Sequence, residues 1–252
     1  MFIAVLATIF TPKFIGFQEF NLLKDRKLFK RIENYQDIRF LNMRDKLIIA
    51  LDGPSAAGKG LIGSMIAKEF SLTYFQSSLV YRGLAYICLK NKIDLTDEAQ
   101  IIRASDTDIF KHIEGVDLNN EEIGAAASII SAIPSVREEL GIYLKEIIRN
   151  NSKIIMEGRD IGTVVAPNAD LKLFVTANVE VRAQRRYKQL CAEGKECILD
   201  EILNLLKVRD ERDRSRLTAP LVPARDAYII DTSDLTPEEV IQKIRILINK
   251  SL

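Results

Sequence analysis

GPSAAGKG, residues 53–60, follows directly on KLIIALD, residues 46–52. The apolar run reads as a buried strand. The stretch after it reads as a turn into a helix, because Leu61, Ile62, Met65, Ile66 and Phe70 recur at helical spacing. A glycine, four residues, then glycine and lysine has mechanical meaning in that strand-to-helix setting. There, Gly53 and Gly58 let backbone N–H groups turn inward around an anion, and Lys59 adds charge where terminal phosphates would lie. Gly53, Pro54, Ser55, Ala56, Ala57, Gly58, Lys59, Gly60 and Leu61 are therefore a candidate phosphate cradle. No hydroxyl follows the lysine, since Gly60 and Leu61 fill the next two positions. Magnesium, if used, must then be held mainly by phosphates, water and a carboxylate elsewhere.

Outward from this loop, short apolar runs alternate with helical patterns. Residues 46–51, 72–75, 153–157, 171–175 and 227–231 read as strands, and the helices between them predict an α/β sheet with parallel strands. Val179, Ala183, Tyr187 and Leu190 form one helical stripe, and Ile198, Ile202, Leu205 and Leu206 another. Thr236, Pro237 and Glu239 mark the last helix as capping residue, first-turn proline and capping-box acid.

At 252 residues, 47% hydrophobic and 28% charged, the chain can bury a sizeable core as one large or two small domains. Thirty-six basic and thirty-five acidic side chains leave a formal charge of +1, so no global field points to nucleic acid or a membrane surface. Any anion site must be local. Cys88, Cys191 and Cys197 form no CxxC pair and His112 is the only histidine, so no metal cluster is expected. The cysteines read as reduced packing residues of a cytoplasmic protein, expected to be a monomer. MFIAVLATIF at the N-terminus is too short to span a bilayer and lacks a basic flank, so residues 1–42 are expected to be an extension ahead of a folded domain at 43–252.

A phosphate cradle does not by itself separate a kinase from a GTPase or a motor. NKID at 91–94 matches a guanine-reading pattern, but a helix-like stretch precedes it and no DxxG comes earlier. It reads as a helix end followed by a turn. The arginines discriminate better: Arg82 after Ser77 and Tyr81, Arg159 in EGRD at a strand end, and RDERDRSR from Arg209 to Arg216. On a continuing helix, residues 209, 213 and 216 lie within roughly 60° of one another. Three arginine sites on one side of such a sheet suit a phosphoryl group with charge spread over its oxygens.

In this order, GPSAAGKG, Ser77 with Tyr81-Arg82, EEIGAAASIISAIPSVREEL, EGRDIGTVV with Pro167 and Asp170 beyond it, and RDERDRSR followed by APLVPA resemble the bacterial cytidylate kinase family, from about Lys46 to the C-terminus. The resemblance implies the P-loop nucleoside monophosphate kinase fold: a five-stranded parallel core with helices on both faces, at 43–76, 151–190 and 221–252, a CMP-binding region at about 77–150 and a mobile lid at about 191–220. It implies ATP as phosphoryl donor with Mg2+, and CMP or dCMP as acceptor. Arg82, Arg159 and Arg216 would grip the acceptor phosphate; Ser128, Arg137 and Asp160 would read cytosine; Arg209 and Asp213 would hold the ribose, with Ser77 and Tyr81 lining the pocket. Lys59 and the loop amides would hold ATP, and Arg185 and Arg186 would approach the transferring group.

The chain departs from that family's pattern at Gln76, Ser78, Leu61 and Glu157, and only about forty residues separate Arg82 from EEIGAAAS, where the long family form carries a larger β-rich insert. A different acceptor, UMP, AMP or a non-nucleotide, would share the loop and lid but not the Ser128, Arg137 and Asp160 set. A non-enzymatic GTP switch would need the missing DxxG.

Overall fold

β1 (Leu47–Asp52) is buried along its whole length, as a run that is apolar on both faces must be at the centre of a sheet. The computed structural model of the protein describes residues 46–105 and 109–251, and the expected extension at 1–42 lies outside them. β2 (Thr73–Gln76), β3 (Lys153–Glu157), β4 (Leu171–Thr176) and β5 (Tyr228–Asp231) complete a sheet of order β2-β3-β1-β4-β5 with every pairing parallel. Each strand lies within one residue of its expected bounds.

Between the strands run α1 (Lys59–Phe70), then α2 (Ser78–Lys90), α3 (Glu98–Ser105), α4 (Ile109–His112), α5 (Glu121–Ile130) and α6 (Pro134–Arg149). After β3 come a single π-turn at Ile161–Val165, α7 (Val179–Ala192), α8 (Leu199–Ser215) and α9 (Pro237–Ser251). Alternation along β1 sends Ile48 and Ala50 to one face, where they join Ile154 and Met156 in a core closed by α2, α5 and α6. On the other face α1 and α9 meet, burying Ile62, Ile66, Phe70, Ile244 and Ile248. Each such side chain stabilises the fold by roughly 1.5–3 kcal/mol relative to exposure. With β1 between β3 and β4, the chain leaves neighbouring strand ends in opposite directions and opens a crevice beyond them, where the glycine-rich turn lies.

α7 and α8 form a hairpin with its own small cluster of Ala183, Leu190, Ile202 and Leu206. Ala183 and Leu190 of α7 face α8 in this cluster, so α7 packs with the segment expected at 191–220. Three expected stripe members of the hairpin differ: Leu205 is 59% exposed, and Ile198 and Tyr187 are also exposed, since the two helices cover only one narrow seam of each other. The described residues between Arg82 and Glu121 contain helices and turns but no strand. Asn91 and Lys92 close α2, Lys92 in the left-handed region at φ +54°, and the Asp94 carboxylate accepts from the Thr96 N–H at 2.8 Å, so NKID is a helix end and a turn.

Of the cysteines, Cys88 is buried in the main core and Cys197 packs against the hairpin's cluster, but Cys191 is not a packing residue. Cys191 is exposed and Cys197 half-buried, their sulfurs 3.6 Å apart across the turn joining α7 to α8. His112 is exposed at the end of α4. Among the described residues no helix is long and apolar enough to cross a membrane, and no cluster of three or more acidic, histidine or cysteine side chains is arranged to hold a metal.

The capping box of α9 forms as expected: the Thr236 N–H donates to Glu239 Oε2 at 2.8 Å and the Glu239 N–H donates to Thr236 Oγ1 at 3.3 Å. Thr236→Ala is expected to cost about 1 kcal/mol, read as a lower urea midpoint with no change in catalytic constants.

Candidate active site

Gly53 has φ +145°, and a Cβ there would sit 1.9 Å from the Val175 carbonyl oxygen on β4, so only glycine lets the turn pack this close to the sheet. Gly58, at φ +89°, swings the chain into α1, leaving the first amides of that helix facing the turn. Lys59 is 3% exposed; its Nζ donates to the Pro54 carbonyl at 2.8 Å and lies 3.8 Å from Glu157. Burial, and then the charge of Arg159, lower its pKa to about 7. Asp52, at the end of β1, is raised to about 6 by burial although it accepts from the N–H groups of Gly162 at 2.7 Å and Ile161 at 2.9 Å. Those two bonds tie the root of the loop to the turn after β3. Leu61 points outward, 54% exposed.

Beyond the ends of β2 and β3 lies a narrow cleft of about 50 Å³. Ser77, Tyr81 and Arg82 enter it from α2 and the residue before it, Ser128 from α5, and Arg137 from α6. Arg159 and Asp160 enter from the turn after β3, and Arg209, Asp213 and Arg216 from α8 and its C-terminal cap. All ten residues expected at the acceptor site thus share one cleft. Short-range rules fix where two of the contributing helices start: Asn120 caps α5 by accepting from the Glu122 N–H at 2.7 Å, and Pro134 starts α6 at a first-turn position.

The polar groups of the cleft are paired unevenly. An Arg137 terminal nitrogen donates to Asp160 at 2.5 Å, and the guanidinium lies 5.5 Å from the Tyr81 ring centroid. Arg159 donates through Nε to Asp213 at 3.1 Å and through Nη2 to Ser55 Oγ at 2.7 Å, which links the cleft to the glycine-rich loop. Arg82 donates to the Leu118 carbonyl. Arg216 donates through Nε to the Ala219 carbonyl at 2.6 Å. Arg209 Nε and Arg216 Nη2 are buried with no hydrogen-bond partner among the described residues. Burial lowers the pKa of Arg209 to about 10 and also lowers those of Arg82 and Arg216.

Two expected residues lie elsewhere. Arg185 donates through both terminal nitrogens to Thr232, at 2.9 Å to the hydroxyl and 2.5 Å to the carbonyl, and stays out of the cleft. Arg186 pairs with Glu121 at the start of α5. The reason is helical phase: Arg182, Arg185 and Arg186 fan over about 100° of one face, and Arg182 takes the central position, buried against Asp210. Sequence reading missed Arg182 and also Arg212, whose Nη1 donates to Ser128 Oγ at 3.0 Å. The signal available was only an arginine within a charge run, Arg182 beside Arg185 and Arg186 and Arg212 within RDERDRSR, which does not say which arginine is buried or what it meets.

The family model for cytidylate kinase matches residues 49–250. Cytidylate kinase of Rickettsia bellii (strain OSU 85-389) is 55% identical over 208 residues, covering 81% of this chain and 93% of that protein. That of Rickettsia canadensis (strain McKiel) is 57% identical over 196 residues, covering 78% and 89%. The chain belongs to the cytidylate kinase family. A solved shikimate kinase from Bacteroides thetaiotaomicron superposes with a TM-score of 0.45 at 16% identity, covering 81% of this chain and 98% of that one. Two departures from the cytidylate kinase pattern are neighbours in space: Gln76 pairs with Glu157 in register, Tyr74 donates its hydroxyl proton to Glu157, and Gln76 Nε2 donates to the Tyr74 oxygen at 2.8 Å. Burial, with Glu157 beside it, pushes the Tyr74 phenol well above its usual range, so it remains a donor.

Lys59 has a folded pKa of about 7 against an ordinary value of 10.5, so the folded state binds fewer protons than the unfolded chain between those values and stability rises with pH across that window. At pH 6 the folded protein carries the full penalty of a buried charged lysine. Lys59→Met is therefore expected to raise the urea midpoint at pH 6 and to lose that advantage progressively by pH 9.

Proposed function

We propose that the chain transfers the γ-phosphoryl group of ATP to CMP or dCMP, giving ADP and CDP or dCDP. The observation that carries this reading is the cleft itself. Arg82, Arg159, Arg209 and Arg216 converge in it, two of them with buried nitrogens lacking a partner, and it adjoins a phosphate-type loop through the Arg159–Ser55 bond. Such donors fit a phosphate with several acceptor oxygens. Membership of the cytidylate kinase family supplies the acceptor class.

Arg82, Arg159 and Arg216 hold the acceptor phosphate in this reading. Arg137 and Asp160 present a donor and an acceptor side by side to the cytosine edge, with Ser128 beside them; Arg209 and Asp213 hold the sugar. The donor's phosphates take the amides of residues 53–61 and draw Lys59 away from Pro54. Its nucleoside occupies the cavity of about 440 Å³ between β4, α7 and α8, bordered by Asn178, Lys207 and Asp231. Magnesium would supply charge neutralisation at the donor's phosphates; Glu157, beside Lys59, would be the carboxylate on hand for its hydration shell, and the Leu61 side chain would contribute nothing to it.

No general base is needed, because the acceptor phosphate has a second pKa of about 6 and is largely ionised at neutral pH. The protein's part is alignment, charge neutralisation and exclusion of water. The α7–α8 arm, which carries Arg209, Asp213 and Arg216 and packs on its own small cluster, moves outward to admit CMP and returns once it is seated. Water alone does not make that return complete, which limits ATP hydrolysis.

ADP release measured with ATP, magnesium and, in parallel, CMP, dCMP, UMP and AMP tests the reading: CMP or dCMP should be preferred, and a preference for UMP or AMP would overturn it. Arg159→Ala should lower kcat/KM at least about a hundredfold, or about 2.7 kcal/mol of transition-state stabilisation. Retention of most activity would remove Arg159 from its role.

A further inference from the structure

Ser55 of the glycine-rich loop is held from two sides by two arginines, each anchored on the same helix. Its hydroxyl accepts from Arg159, which pairs with Asp213 on α8. Its carbonyl accepts from Arg182 Nη1 at 3.1 Å. Arg182, 2% exposed on α7, also donates through Nε to the Ala177 carbonyl at 2.8 Å and grips Asp210 with both terminal nitrogens, at 3.3 and 2.6 Å. Asp210 and Asp213 are one turn apart on α8, and both are buried.

The two links are not equivalent. Arg159 and Asp213 both line the acceptor cleft, and the proposed function requires each to turn to substrate. Arg182 and Asp210 lie behind the cleft, with no part in its lining, and border the larger cavity. What else holds α8 is unevenly distributed. Its buried apolar residues, Ile202 and Leu206, sit in its first half, whereas the buried residues of its second half are Asp210 and Asp213. That second half carries Arg209 and Asp213. Arg212 ties it to Ser128, but across the cleft, so that contact opens with the arm.

We propose that Arg182 is a positioning residue: through Asp210 it locks the rotation of α8 against the phosphate loop, so that Arg209 and Asp213 stay aimed at the acceptor after Arg159 exchanges Asp213 for a phosphate. A helix turns about 100° per residue, so freedom of a few tens of degrees carries the tip of Arg209 out of reach of the sugar. A two-pronged guanidinium–carboxylate pair fixes that angle where apolar packing would fix only distance. Being buried, the pair is not weakened by solvent when the arm opens, and removal of one partner leaves the other charge stranded.

The inference rests on the proposed function, and its test includes a readout that does not. Arg182→Lys and Asp210→Asn, made in the full chain, are compared with the wild type by amide hydrogen exchange without nucleotide, by calorimetric binding of CMP and of a non-hydrolysable ATP analogue separately, and by turnover. Exchange at residues 207–216 should quicken at least about tenfold with protection of β1 and α1 unchanged. Binary affinities should stay within about threefold while kcat falls at least about thirtyfold. Unchanged exchange at 207–216 overturns the strut whether or not the wild type phosphorylates CMP, and absence of wild-type turnover with quickened exchange sinks the functional reading alone. An ATP-analogue affinity that falls in step with kcat would make Arg182 a donor-contacting group, and protection lost across the sheet would make it merely structural; either result rejects the proposal. Asp210→Asn keeps the shape of the side chain, so it decides the matter if Arg182→Lys fails to fold.

Discussion

Five guanidinium groups, those of Arg82, Arg137, Arg159, Arg209 and Arg216, converge on a cleft that offers them two carboxylates, Asp160 and Asp213. Like charges at close quarters in a partly buried site repel one another: burial, and then the charge of Arg159, lowers the pKa of Arg209, and two buried donors have no hydrogen-bond partner among the described residues. The fold holds this arrangement against its own electrostatics, and the sheet core provides the means. Apolar packing on both faces of β1, supplied by α1 and α9 on one side and by α2, α5 and α6 on the other, outweighs a local penalty that no small surface site could sustain. In the proposed function a dianionic phosphate entering the cleft offsets most of the excess positive charge, so substrate acts as a counterion.

The same imbalance accounts for an arm rather than a rigid pocket. Arg209, Asp213 and Arg216 come from the α7–α8 hairpin, whose core of Ala183, Leu190, Ile202 and Leu206 is separate from the main one. A hairpin with its own small core can pivot without opening the sheet. The arm is tied to its surroundings by salt bridges from its Asp213 to Arg159 and from its Arg186 to Glu121, while Arg182 and Asp210 pair within it; these contacts are directional and exchangeable. An apolar seam in their place would hold the arm shut with equal strength whatever was bound, and substrate could then bias nothing.

Strands were legible because each is a short apolar run between polar turns, and the parallel sheet followed from their alternation with helices. The acceptor cleft was legible in part from spacing, as with Arg209 and Asp213 one turn apart, and otherwise through family resemblance, since nothing in the local sequence brings Ser128 to Arg159. What escaped was the sorting of equivalent candidates. Arg182, Arg185 and Arg186 share one helix face, and only the position of Asp210, set by how α8 packs on α7, decides that Arg182 is buried while Arg185 turns to Thr232. The exposure of Leu205 has the same origin: a stripe at helical spacing says that a helix has an apolar face, not how wide a surface awaits it. Cys191 and Cys197 likewise carry no signal at six residues' separation until the turn between two helices brings their sulfurs together.

In the proposed function Arg159, which lines the cleft and bonds Ser55 of the glycine-rich loop, stands between the donor and acceptor sites, and this placement gives the pair of them a common electrostatic account. After burial, its charge is the largest influence lowering the pKa of Lys59 in the phosphate loop and also that of Arg209 in the cleft. An anion in either site reduces the effective charge of Arg159 as felt by the other, and so eases the protonated, phosphate-binding form of Lys59 or the crowded Arg209. Linkage then requires that donor and acceptor favour each other's binding by one and the same free energy. Ser55 adds a mechanical route to this electrostatic one, because any shift of the loop around donor phosphates is felt at its hydroxyl by Arg159. Water carries no charge and cannot draw on either route. In the proposed function, selectivity for transfer over hydrolysis follows from one arginine placed between two anions, with Asp213 of α8 holding it ready until both arrive.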